Sequence, residues 1–354
     1  MAGDAAARPR KALAWAAAAF CTVQLTLAAA IEFHARGLRD PVYGRKLDQL
    51  QARLAAAPAG VPLVLALGSS QTFDGFDAEL LESRWQSSSG RQAIVYNFGL
   101  PGAGPLSELL VLKRLLREGI RPDLLLIEVT PALMHGAEQV AMTGDRLALD
   151  ELASAAPLAS GDDHFIARRW LRSLIPFHTH RESLLRAFSP AWAPPRRWGM
   201  TFQPFGPYGW ESIPQTSDAE RAAYAAVICD AYRGILGGGR LDDRSCDYLR
   251  QLLDVCRRER LEATLVVMPA ASEFRGLSST AMQSAVEAHL ADLASEYSIS
   301  CIDARDWMAD GDFFDSQHLM AAGARAFTEK LCQRLPSIDA NEGNLAANAG
   351  DLRK

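Results

Sequence analysis

No CxxC pair occurs in this chain, and no spacing of cysteine and histidine matches a zinc site. A zinc ribbon, a zinc finger and a thioredoxin-like dithiol are therefore excluded. The six cysteines stand singly, at 21, 229, 246, 256, 301 and 332. Cys21 falls in an apolar N-terminal segment, which leaves five whose pairing the sequence does not assign. Cys256, on an expected helix, and Cys301, on an expected strand, read as buried small hydrophobes rather than redox centres. Basic charge is not in excess either: 37 Lys and Arg face 42 Asp and Glu, for a formal net charge of −5. No nucleic-acid partner is expected from that balance, and the pairs Arg168-Arg169 and Arg257-Arg258 read as solvated faces. There is no second acidic cluster to hold a metal. The run Gly237-Gly238-Gly239 lacks the spacing and the strand-to-helix setting of a phosphate loop. No cofactor is expected, and no internal repeat is visible.

Hydrophobic residues make up 49% of the 354 positions, enough for one large domain with insertions or two small ones. The first signal is N-terminal. Residues 12–31 (ALAWAAAAFCTVQLTLAAAI) carry no charge, and Arg8, Arg10 and Lys11 precede them. A membrane-spanning helix needs about 20 apolar residues, and basic flanks face the cytoplasm. The expected order is a cytoplasmic tail over 1–11, a single span over 12–33, a juxtamembrane helical segment over 34–60, and a main domain outside the cytoplasm, periplasmic or at the cell surface. Two alternatives compete: a cleaved signal peptide, for which Ala28-Ala29-Ala30 would serve as the cleavage site, and a buried helix of a soluble protein, which the terminal position behind a basic cluster disfavours. The apolar run exceeds the usual signal core of about 7–15 residues, which favours the anchor.

Short apolar runs ending in turn residues then recur: 61–67, 93–97, 124–129, 263–268 and 300–303. Such runs suit buried parallel strands. Leucine-rich stretches with helical spacing lie between or after them, at 105–118, 247–260, 279–297 and 321–335. Alternation of this kind predicts an α/β fold, a three-layer α/β/α sandwich of about five parallel strands spanning 61–335. The stretch 131–240 breaks the rhythm and is rich in Trp, Pro and Phe. It reads as an ordered insertion, helical over 162–187 and 217–236, that forms a lid or substrate wall or else a purely structural cap. The polar tail 336–354 is expected to be disordered.

In open parallel sheets, ligands bind at the carboxyl ends of the strands. The first strand is followed by Gly68-Ser69-Ser70, and the second by the glycine-rich loop NFGLPGAG, residues 97–104. Backbone amides ahead of a helix form a natural oxyanion site. Just before the last helix stands DFFDSQHL, residues 312–319, which contains Asp315 and His318. A serine hydroxyl needs a neighbouring base, and the base needs an orienting carboxylate. Asp315 and His318, three apart, can supply both. His135, His164, His178, His180 and His289 are scattered, and Glu273 and Arg275 after the fourth strand are candidates to line a cleft.

These blocks resemble the SGNH (GDSL-like) hydrolase superfamily over roughly 60–135 and 260–335. The resemblance implies that Ser70 is the nucleophile, His318 the base and Asp315 its orienter. It implies that a glycine amide, Gly102 with Gly99 as runner-up, serves the oxyanion hole beside the Ser70 amide. The family's third block normally supplies an Asn to that hole, but here Ile127-Glu128-Val129-Thr130 has none, which leaves the Thr130 hydroxyl as a further donor. An N-terminal anchor with this altered block is similar to the membrane-anchored envelope branch, which includes the D-alanyl transfer protein of teichoic acid assembly and polysaccharide O-acetylation proteins. The implied activity is a serine esterase or O-acyltransferase acting on acyl esters of an envelope glycan or lipid, with a membrane acyltransferase as partner. The alternative is a catalytically decayed scaffold that binds glycan or a partner protein.

Overall fold

The computed structural model describes residues 3–90, 92–134, 146–158, 164–194 and 204–335. His135, part of the aromatic stretch (195–203) and the tail expected to be disordered lie outside them. The chain divides into two compact units, Met1–Arg45 with Gly144–Phe202 and Lys46–Thr143 with Gln203–Lys354.

The second unit is built on five strands: β1 (Leu63–Leu67), β2 (Ile94–Asn97), β3 (Leu124–Val129), β4 (Glu262–Val267) and β5 (Ser300–Asp303). All pair in parallel, in the order β2-β1-β3-β4-β5. The three strands LVLAL, IVYN and LLLIEV are buried at every position, because helices cover both faces of the sheet. Side chains alternate between the two faces. Val64, Ala66, Val95, Leu124 and Leu126 share one core with Leu81, Trp85, Phe327 and Leu331, contributed by the helices Ala78–Ser89 and Ala321–Cys332. On the other face the helix Asp243–Glu259 packs against Pro105–Arg117 and Thr280–Tyr297. The fold is thus the expected α/β sandwich of five parallel strands.

Caps set where several helices start. The helix expected at 247 begins at Asp243, since the Asp242 carboxylate accepts the Ser245 amide at 3.0 Å. Asp77 caps Ala78–Ser89 through the Leu80 amide at 2.9 Å. One expectation needs correction. Cys301 is exposed, because β5 is the edge strand and only Ile302 of its four residues is buried; Cys256 is buried as expected.

In the first unit, Gly3–Phe33 is a continuous 31-residue helix, and its part Arg10–Phe33 is long and apolar enough to cross a membrane. The stretch expected to be helical over 162–187 forms three short helices instead, Phe165–Ser173, Pro176–Thr179 and Arg181–Phe188. Pro176 lacks an amide hydrogen and disfavours helical geometry at Ile175, so one helix cannot run through. The other expected helix of the stretch is Asp218–Gly237, in the second unit, opened by a capping box between Ser217 and Glu220.

Candidate active site

β1 has β2 on one side and β3 on the other, so the chain reverses direction across the sheet between β1 and β3. A crevice opens at the carboxyl ends of strands where the order reverses. Gly68-Ser69-Ser70 leaves β1 at that place, and Thr130 leaves β3.

The turn is held by a carboxylate that no sequence block pointed to. Glu128, the penultimate residue of β3, is 4% exposed. One of its oxygens accepts the Ser69 amide at 2.9 Å, the Thr72 amide at 3.0 Å and the Thr72 hydroxyl at 2.5 Å. The other accepts the hydroxyls of Ser69 and Thr130, each at 2.5 Å. The Ser69 hydroxyl also accepts the Gln71 amide at 3.1 Å and so caps the helix Ser70–Gly75. A side chain on Gly68 would press to 2.4 Å from the same carboxylate and 2.2 Å from Thr72 Oγ1, so only glycine fits there. Ser69 therefore shapes the turn, and its partner is Glu128.

The helix Ser70–Gly75 presents Ser70 at its first position. The segment before the last helix closes on itself: the Phe314 amide donates to the His318 carbonyl at 2.8 Å, and Ser316 takes a left-handed φ of 73°. That turn brings the Asp315 carboxylate under the histidine. Asp315 Oδ2 lies 2.7 Å from His318 Nδ1, and Oδ1 accepts the His318 amide at 2.9 Å. The other ring nitrogen, Nε2, lies 2.8 Å from Ser70 Oγ. Three residues drawn from the two ends of the domain thus form a continuous hydrogen-bonded chain.

The charges around it are arranged unevenly. Burial works against charge on His318, but the Asp315 carboxylate, its hydrogen bond, and the charges of Asp74 and Glu128 raise the imidazole from 6.5 to about 9. Burial would raise Asp315, yet the His318 charge and the hydrogen bonds from His318 and Gln317 hold it below the ordinary carboxylate value. Asp74, one helical turn after Ser70, is 3% exposed, and burial pushes its pKa up to about 7, with His318 and Lys46 opposing. Lys46 is fully buried; its Nζ donates to the carbonyls of Asn97 at 2.8 Å and Gly209 at 2.5 Å and sits 4.4 Å from the Phe73 ring centre.

The oxyanion candidates divide. The Gly99 amide donates to the Asn97 side chain at 2.9 Å, so it is occupied. Gly102, at φ 75°, turns the loop ahead of the helix that starts at Pro105, and neither its amide nor that of Ser70 has a hydrogen-bond partner among the described residues. The Thr130 hydroxyl faces Glu128 and also Gln71 Oε1 at 2.7 Å; its one hydrogen is engaged there, and serving an oxyanion would mean giving that bond up. Beyond Gln71 and Thr130 a cavity of about 420 Å³ extends along the ends of β4 and β5. Arg275 lines it and Glu273 does not. Of the remaining histidines, His180 is buried, His164 and His178 are exposed, and none forms a metal cluster among the described residues.

No protein-family model matches the chain, and no curated protein matches it. Solved structures do. A Bacteroides fragilis protein named as an acylhydrolase aligns at 10% identity, over 81% of this chain and 94% of its own, with a TM-score of 0.38. AlinE4, an SGNH-hydrolase family esterase, aligns at 16% identity, over 79% of this chain and all of its own, with a TM-score of 0.34. At these scores the likeness carries no chemistry, which comes from the chain's own residues.

Proposed function

We propose that the chain is a membrane-tethered serine esterase or O-acyltransferase of the SGNH type, with its catalytic domain outside the cytoplasm, acting on acyl esters of a cell-envelope glycan or lipid. One observation carries this reading: Ser70 Oγ stands 2.8 Å from His318 Nε2 while Asp315 engages Nδ1 at 2.7 Å. That is the reach a serine nucleophile and its base require. The resemblance of three sequence blocks supports the SGNH assignment. The basic flank and the apolar helix support the tether and the orientation.

Ser70 Oγ attacks the acyl carbonyl carbon as its proton passes to His318 Nε2. The negative charge that develops on the carbonyl oxygen faces the Ser70 and Gly102 amides. The C–O bond to the leaving alcohol breaks, His318 protonates that alcohol, and Ser70 carries the acyl group. Water or a sugar hydroxyl then gives up its proton to His318 and takes the acyl group, and Ser70 recovers the proton. Water yields a carboxylic acid; a sugar yields a new ester. Losing one oxyanion donor costs about 100- to 1,000-fold in rate, so slow turnover is expected.

Mixing the full-length chain with 4-nitrophenyl acetate, with and without an oligosaccharide acceptor, tests this. A burst of one nitrophenolate per chain, followed by slow turnover, is expected, and the acetyl group should appear on water, on sugar, or on both. Absence of any burst at high protein concentration would favour the scaffold reading, to which the engaged Thr130 hydroxyl lends weight.

The pH dependence follows from the site's charges. His318 accepts the serine proton only when neutral, and its pKa stands at about 9 rather than 6.5. Burst rates should therefore climb with pH well above 7. Asp74→Asn removes one charge that holds the proton on His318, so the limb should move to lower pH by roughly half a unit or more. A limb left in place by Asp74→Asn would remove Asp74 from the account. Topology is checked separately: a reporter fused after residue 40 should be active only outside the cytoplasm.

A further inference from the structure

We propose that the segment 164–194 is a membrane-surface element, laid into the bilayer leaflet beside the N-terminal helix. The inference rests on the reading that Gly3–Phe33 spans the membrane. It concerns a stretch that the sequence suggested as a lid or cap.

The helix Phe165–Ser173 (FIARRWLRS) sorts its residues sharply. At 100° per residue, Ile166, Ala167, Trp170 and Leu171 fall on one side, and Arg168, Arg169 and Arg172 on the other. A helix on a water-soluble protein turns its apolar side inward. This one leaves its apolar side uncovered. Ile166, Trp170 and Leu171 are 46%, 49% and 59% exposed, and on the polar side Arg168 and Arg172 are exposed while Arg169 is buried. The exposure continues along the segment, through Ile175 and Phe177 to Phe188 and Trp192, the last two at 72% and 82%. Large apolar side chains scattered singly on a surface need no explanation, but a run of seven within 27 residues does.

The chain itself indicates what covers this run. The segment belongs to the same compact unit as the apolar N-terminal helix. The Phe177 amide donates to the Gln24 side chain at 3.4 Å, and Gln24 is buried although it lies within the apolar helix. Gln24 precedes Ile31, the end of the uncharged run, by seven residues. At 1.5 Å per residue the contact falls about 10 Å inside the apolar span. An interfacial helix buries its apolar side about 5–10 Å below the headgroups, so the segment's depth and its outward apolar side agree. Between the two elements runs an apolar groove of about 610 Å³, lined by Val23, Leu27, Phe177, Leu184 and Phe188, with Arg181 at its polar margin. A lipid acyl chain fits such a groove, its headgroup toward the arginine. Residues 164–194 hold five arginines against one acidic residue, Glu182, which favours anionic headgroups.

The test uses tryptophan quenching in the full-length chain, reconstituted in vesicles of phosphatidylethanolamine and phosphatidylglycerol with bromine on the acyl chains. Trp15, within the span, reports on the tether itself, and Trp170 and Trp192 report on the proposed element. Relative to wild type, Trp170→Phe and Trp192→Phe should each remove part of the bromine-quenched emission, as Trp15→Phe does, whereas Trp307→Phe should remove none. Acrylamide in the aqueous phase should fail to quench Trp170. If Trp15→Phe lowers the quenched fraction and Trp170→Phe does not, the span stands and the proposal fails, whether acrylamide reaches Trp170 or a protein partner shields it. If Trp15→Phe also leaves the fraction unchanged, the tether reading has failed and the proposal falls with it.

Discussion

Replacing Ser70 with alanine should abolish the nitrophenolate burst and lower ester turnover by about 1,000-fold or more. The residue sits half-buried at the start of a short helix, and its hydroxyl meets His318 in the crevice. Removing that oxygen deletes the atom that would form the acyl bond, while the core keeps every contact. The unfolding midpoint should stay within a degree or two of the parent's, since surface-type changes cost about 0.5 kcal/mol or less. His318→Ala should be about as damaging, because a nucleophile and its base act as a unit. Ser69→Ala should behave differently. It loses a helix cap and a bond to Glu128, costing about 1–2 kcal/mol of stability, yet it touches no reacting atom, so turnover in the folded protein should fall by about tenfold at most. Steady-state kinetics and thermal melts on the three variants separate these outcomes.

The second large effect should come from Glu128. Its carboxylate accepts two amides and three hydroxyls beneath the nucleophile turn, in a site shut off from water. Glu128→Ala would strand those donors in a buried space. A buried donor left unpaired costs about 1–3 kcal/mol, and hydroxyls can rotate toward other acceptors, so a total loss on the order of 4 kcal/mol is expected. With the turn unsupported, Ser70 loses its place opposite His318, and the burst should vanish. Glu128→Gln offers a milder comparison. It keeps the shape and one acceptor, and the serine and threonine hydroxyls can turn to accept from the new amide. It should lose roughly half as much stability and retain a measurable burst. Equal stability in the alanine variant and the parent, by chemical denaturation, would show that Glu128 does not hold the turn.

The sheet was legible because its strands are short, mostly apolar runs that end in turn residues. LLLIEV, flanked by a leucine-rich helix, admits few other readings. Ser70, Asp315 and His318 were nameable because each follows a strand or precedes a helix, where ligands meet a parallel sheet. What escaped was whatever depends on long-range pairing. Glu128 stands in the block that in SGNH-like sequences holds a side-chain oxyanion donor, and only the β1–β3 register turns it toward Ser69 and Thr72. Nothing in the sequence singles out Lys46, which is buried against carbonyls 51 and 163 residues away. Asp74 carried no signal at all, since its coupling to His318 crosses most of the chain. The helix Phe165–Ser173 has a clear apolar side in the sequence, but the direction in which that side points is a tertiary fact. Cys301 was misplaced for a related reason: strand order, which short apolar runs do not specify, put β5 at the edge.

Whether Ser70 is an activated nucleophile is decided by labelling the full-length chain with a fluorophosphonate and mapping the adduct by peptide mass spectrometry. One phosphonyl group per chain is expected, on the peptide containing Ser70, with labelling that quickens as pH rises above 7 and is lost in both Ser70→Ala and His318→Ala. A folded full-length chain that stays unlabelled, or one that takes the group on another residue while Ser70→Ala labels as fast as the parent, would contradict that expectation.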